Sequence, residues 1–120
     1  MEVHKMYTIY HNPRCSKSRA GLQYLKDHGV EFLVMEYLKT PLTEKDLEKL
    51  LMKLNKQPAE LLRTNEVYFK QHLKGKNFED HELIRIILQN PQLLRRPIIE
   101  GRYKAVIGDP PGNIDLLLKQ

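Results

Sequence analysis

The chain has a single cysteine, Cys15, in 120 residues. No internal disulfide can form, and a lone thiol suits a reducing compartment. No window approaches the roughly 18 apolar residues of a membrane helix, and residues 1–6 lack the apolar core of a signal peptide. These absences predict a soluble, cytoplasmic protein with no membrane partner. There is no block of like charge and no basic motif interleaved with aromatics, which argues against nucleic acid as a partner despite a net charge of +5 and a pI near 9.3. The same charge suits a small anionic ligand. His4, His28, His72 and His81 lack metal-ligand spacing, and one cysteine argues against zinc, so no metal is expected. The chain has no repeat, low-complexity tract or long linker. At 120 residues, 41% hydrophobic and 29% charged, it reads as one globular domain spanning 1–120.

What is present is concentrated near the start. A β-branched and aromatic run, Tyr7-Thr8-Ile9-Tyr10, stops at Asn12-Pro13 and delivers Cys15 to the first turn of a helix predicted over residues 16–28 and closed by Gly29. The thiolate is the nucleophilic form, and at an ordinary pKa of about 8.5 only ~3% is ionised at pH 7. A helix N-terminus presents unpaired N–H groups and roughly half a positive charge, which favours the anion and can also hold an oxyanion. Arg14, Lys17, Arg19 and His11 add positive charge nearby. The competing reading is a buried, inert cysteine, but its flanks are polar and basic. His11 can equally be a strand-end surface residue. Ser18 can donate a hydrogen bond to the thiolate or be a plain first-turn serine.

Along the chain, Tyr7 to Tyr10 is expected to be a central strand parallel to a second over residues 31–36, with Ala20, Gly21, Tyr24, Leu25 and His28 packing the intervening helix. Thr43-Glu44-Lys45-Asp46 is a capping signature, and Leu47, Leu50, Leu51 and Leu54 follow at helical spacing. Pro58 opens a short helix carrying Leu61 and Leu62, residues 67–73 add a turn or two, and residues 79–89 form a further helix stopped by Asn90-Pro91. Strand character returns over residues 97–100 and 103–107 around a Gly101-Arg102 turn, and Asn113 is a cap for a last helix over 114–118. Asp109 and Glu100 have no evident acid–base partner, and Arg95 is expected to face solvent.

His11-Asn12-Pro13-Arg14-Cys15-Ser16-Lys17-Ser18-Arg19 resembles the active-site loop of the glutaredoxin-coupled arsenate reductase family. The likeness continues in Tyr37-Leu38-Lys39-Thr40-Pro41-Leu42-Thr43, Leu61-Leu62-Arg63-Thr64-Asn65 and Arg96-Pro97-Ile98-Ile99, in the family's order. The resemblance implies an α/β, thioredoxin-like fold (βαβ plus ββα) with a helical insertion at about 42–91, and a cis Pro97 facing the cysteine. It implies that Cys15 attacks arsenate while Arg63 and Arg96, with Asn12 and Arg14 of the loop, hold the oxygens. His11, Ser18, Arg19 and Pro97 support the site. No cofactor is bound; glutathione is the co-substrate and glutaredoxin the partner, so the resolving thiols come from outside the chain. Arginine suits a tetrahedral oxyanion through its planar, always-protonated fork. Otherwise Arg63 complements a helix C-terminus and Arg96 forms a loop salt bridge.

One departure stands out. Family enzymes carry a third arginine near the C-terminal helix, where this chain has Gly108 followed by Asp109; Arg102 and Lys104 are its nearest cations in sequence. Two other classes therefore stay open. One is an Spx-type regulator that binds RNA polymerase, which shares a glycine like Gly108 but often carries the second thiol that Ser18 replaces. The other is a glutathione-dependent thiol oxidoreductase or binding module without arsenate activity.

Overall fold

The computed structural model describes residues 6–118. His4 and nearly all of the N-terminal segment read above lie outside the described residues. The chain divides into two compact units, one of residues 6–40 with 96–118 and the other Pro41–Arg95.

The first unit is a four-stranded sheet in the order β2-β1-β3-β4. Its strands are β1 (Tyr7–Tyr10), β2 (Phe32–Met35), β3 (Ile98–Glu100) and β4 (Ala105–Ile107). Strand β1 is central, as expected. It runs parallel to β2, with Ile9 opposite Val34, and antiparallel to β3, with Ile9 opposite Ile99. The parallel pair needs a crossover, which helix α1 (Ser16–Asp27) supplies. Gly29, at φ +66°, ends that connection in a conformation that favours glycine. Tyr7, Ile9, Leu25, Ile99, Ile114 and Leu117 form the buried core. The Tyr24 hydroxyl donates to Asp115, tying α1 to the last helix, α4 (Asp115–Leu118).

The face α1 buries differs in part from the one its pattern suggested. Ser18, Gly21 and Leu25 are buried, while Ala20 and His28 are exposed. These buried positions follow i, i+3, i+7 from a polar residue, so a hydrophobic count shifts the stripe. The β3–β4 connection also differs. It spans four residues, Gly101 to Lys104, closed by the Gly101 N–H donating to the Lys104 carbonyl at 2.8 Å. Arg102 lies 5.2 Å from the Tyr103 ring, and both are exposed. Asn113 caps nothing. Its side-chain amide donates to the carbonyls of Ile107 (3.1 Å) and Asp109 (3.3 Å), and a 3₁₀ turn, Pro111–Ile114, precedes α4.

The second unit is helical. Helix α2 (Glu44–Leu54) opens on the expected capping box, the Asp46 N–H donating to Thr43 Oγ1 at 3.1 Å and the Thr43 N–H to Asp46 Oδ2 at 3.0 Å. Leu47, Leu50, Leu51 and Leu54 are buried. Helix α3 (Asp80–Gln89) buries Leu83, Ile84 and Ile87. Between them lie a 3₁₀ turn, Pro58–Leu61, and a π-helical turn, Phe69–Leu73. No helix among the described residues is long and apolar enough to cross a membrane.

Candidate active site

Cys15 is the residue immediately before α1, in extended backbone at φ −99° and ψ 124°. The loop that holds it there is closed by its own polar groups. The Cys15 N–H donates to the Asn12 carbonyl (3.0 Å), the Arg14 N–H to Asn12 Oδ1 (3.1 Å), and the Asn12 N–H to Ser18 Oγ (3.2 Å). Arg19 Nη1 donates to the Pro13 carbonyl at 3.0 Å. Asn12 is therefore a loop-former here, and Arg19 braces the loop. Arg14 is exposed.

The cysteine is 9% exposed, and its chemical surroundings decide its state. Arg96 Nε donates to Sγ at 3.1 Å. Burial raises the thiol pKa, but the N–H groups of Ser18 and Lys17 and the Arg96 guanidinium together outweigh it, so the value falls below that of an ordinary cysteine. The two amides act through the open helix end, and no cap hydrogen bond of ordinary geometry runs from them to the side chain. The electrostatic effect on the sulfur needs only that proximity. Ser18 thus serves through its backbone N–H, while its hydroxyl, fully buried, accepts from Asn12.

Pro97 follows Arg96 directly. The Arg96–Pro97 peptide is cis, and the Pro97 carbonyl accepts from the Gly108 N–H at 2.8 Å. A Cβ on Gly108 would stand 2.5 Å from Ile99 Cδ1 and 3.2 Å from Pro97 Cγ, so a larger side chain there requires the end of Ile99 to shift. Arg102 and Lys104 sit in the exposed hairpin loop.

His11 is 4% exposed, which rules out the surface reading. Its N–H donates to the Met35 carbonyl at 2.8 Å, and its Nδ1 has no hydrogen-bond partner among the described residues. Burial lowers its pKa, Glu36 opposes that and Arg19 adds to it. The neutral ring is favoured, so His11 does not supply the positive charge expected of it. Because its folded pKa lies below the unfolded value of about 6.5, the unfolded chain takes up more protons as pH falls. Stability from this group is full above pH ~6.5 and is lost below it. H11Q is expected to lose less stability than wild type between pH 7 and pH 5, read from urea unfolding at each pH. Equal losses would contradict the account.

In the helical unit, the Arg63 N–H donates to the Leu93 carbonyl at 2.7 Å and Nη1 to the Gln92 carbonyl at 2.9 Å, with Glu66 Oε2 at 3.7 Å. Its Nε is buried without a partner among the described residues. Arg95 is half-buried, not simply solvent-facing, with Nη1 donating to the Glu60 carbonyl at 3.2 Å. Among the described residues no group of His, Cys, Asp and Glu could hold a metal ion.

Two acids passed over in the sequence have partners. Tyr10 Oη donates to Glu100 Oε1 at 2.7 Å, and Lys17 Nζ meets Asp109 Oδ2 at 3.1 Å. Only the fold brings these pairs together; nothing in their spacing announces them.

A parallel βαβ unit joined to an antiparallel ββα unit, with a cysteine at the start of the first helix and a cis-proline before the third strand, is a thioredoxin-like fold. The ArsC family matches residues 10–116. The chain is 38% identical over 112 residues to an arsenate reductase of Neisseria meningitidis, covering 92% of this chain and 96% of that one. It is 43% identical over 112 residues to the Escherichia coli protein YfgD, covering 92% and 94%. An arsenate reductase structure from Vibrio cholerae superposes with a TM-score of 0.87 at 31% identity, over 93% of this chain and 97% of that one. The chain belongs to the ArsC family.

Proposed function

We propose that this protein reduces arsenate to arsenite with glutathione and glutaredoxin, and that it works in the reducing cytoplasm. The observation that carries the reading is the Arg96 Nε–Cys15 Sγ contact at 3.1 Å, at the open end of α1, in a chain of the ArsC family. The Cys15 thiolate attacks arsenic and one oxygen leaves as water. Glutathione then adds to the adduct. Arsenic takes two electrons from the two sulfurs, which end as a mixed disulfide, and arsenite departs. Glutaredoxin clears that disulfide with thiols from outside the chain, which suits a protein with a single cysteine. Its contact with Cys15 supports a role for Arg96 in stabilising the thiolate and, in this reading, charge building on the oxyanion. Arg63 as a second oxyanion arginine, with Asn12 and Arg14 of the loop as further oxyanion ligands, rests on the family resemblance, and His11, Ser18, Arg19 and Pro97 support the loop.

Coupled turnover with arsenate, glutathione and glutaredoxin tests this directly. The expected result is turnover that requires all three, with a raised arsenate KM in R63A. No turnover with Cys15 still reactive would favour a glutathione-dependent thiol oxidoreductase without arsenate activity. One observation favours that second reading: glycine stands at position 108, where the family resemblance implies a third oxyanion arginine.

A further inference from the structure

We propose that Asp109 is a specificity-determining residue of the Cys15 site: paired with Lys17, it weakens the positive field met by an incoming anion and biases the site toward substrates of low negative charge. The inference deepens the proposed reading and rests on it for the reactive Cys15.

The ion pair links the first turn of α1, whose N–H groups act on the sulfur, to the loop after β4. Lys17 lies two residues after Cys15, and its N–H acts on the sulfur. Its ammonium meets Asp109 Oδ2 at 3.1 Å. Asp109 follows Gly108, whose N–H donates to the Pro97 carbonyl at 2.8 Å, and Pro97 follows Arg96, which donates to Sγ at 3.1 Å. The carboxylate is thus tied to the first turn of α1, whose N–H groups act on the sulfur, and directly follows the residue bonded to Pro97. An anion approaching Cys15 meets Lys17 already neutralised.

Stability does not account for the pair. The two side chains are 54% and 35% exposed, and exposed ion pairs contribute about 0–1 kcal/mol. Nor does the loop need the carboxylate for its shape. The Asp109 carbonyl accepts from Asn113 Nδ2, which also donates to the Ile107 carbonyl, and these bonds survive a change of the Asp109 side chain. What the carboxylate changes is charge. Removing a unit charge at this position alters the local concentration of a monovalent anion by about two- to three-fold at low ionic strength, and salt erodes the difference.

Two alkylating probes read this field without requiring arsenate reduction. Iodoacetate is anionic and iodoacetamide is neutral. In both, the Cys15 thiolate displaces iodide and forms a carbon–sulfur bond, so their rate ratio cancels changes in thiolate fraction. D109N is expected to raise the iodoacetate-to-iodoacetamide ratio about two- to three-fold, and K17Q to lower it by a similar factor. D27N is the control. It makes the same change in net charge at the far end of α1, about 16 Å along the helix, and should leave the ratio near wild type. If arsenate is turned over, D109N should also lower its KM with kcat nearly unchanged. A D109N ratio equal to that of D27N would overturn the proposal. Should D109N not fold, an unchanged ratio in K17Q would overturn it instead. Absence of arsenate turnover in the wild type refutes the proposed function but leaves the ratio test intact.

Discussion

R96A is expected to lower arsenate turnover by ~10²–10³-fold, as loss of one preorganised donor at a reacting anion does, and to raise the pH at which Cys15 ionises. Both effects follow from one side chain. Arg96 Nε is the only side-chain donor to Sγ among the described residues, and its charge favours the thiolate as well. With the guanidinium gone, burial raises the thiol pKa against the Ser18 and Lys17 amides alone. R96K is expected to restore part of the ionisation shift and less of the turnover. A lysine supplies charge but not the planar fork that holds an oxyanion through two parallel bonds. The two variants separate charge from geometry. Turnover in R96A within a few-fold of wild type would place catalysis elsewhere.

G21A is expected to destabilise the fold, although alanine in a helix interior ordinarily gains about 1 kcal/mol over glycine. The added Cβ would stand 2.6 Å from Pro97 Cγ, 3.6 Å from Pro97 Cβ and 3.8 Å from the Gly108 carbonyl oxygen. A pyrrolidine ring cannot swing aside as an open side chain can. Overpacking of this kind costs about 1–3 kcal/mol, so the propensity gain is outweighed. The effect reaches the chemistry too. Pro97 and Arg96 share a peptide bond, so displacing the ring displaces the guanidinium that meets Cys15. Urea unfolding should give a lower midpoint, accompanied by slower alkylation of Cys15. A midpoint at or above that of wild type would contradict the packing account.

The sequence made some of this legible and hid the rest for physical reasons. Strand β1, the Thr43 capping box and the buried leucines of α2 follow from local propensity and period, and they stand as expected. Cys15 at the start of α1 was legible because Pro13 stops a strand and residues 16–28 read as a helix. Arg96 was legible only through resemblance, since no local pattern joins it to a cysteine 81 positions away. Ser18 was half-read: its position near the thiol was visible, but its hydroxyl goes to Asn12 and its amide acts on the sulfur. His11 was misread as a source of charge because burial, which lowers its pKa, is a tertiary property. The outward turn of Ala20 and His28 has the same origin, since a buried serine and glycine define the α1 face and hydrophobicity does not mark them. Lys17 and Asp109 are far apart in the chain and meet only in the fold.

The central claim is that the helix N-terminus and Arg96 lower the pKa of Cys15. Ultraviolet thiolate absorbance of the full chain, titrated against pH with a Cys15→Ser blank, measures this most directly. The predicted midpoint lies below that of free glutathione measured in the same buffer. A midpoint at or above that of glutathione would contradict the account.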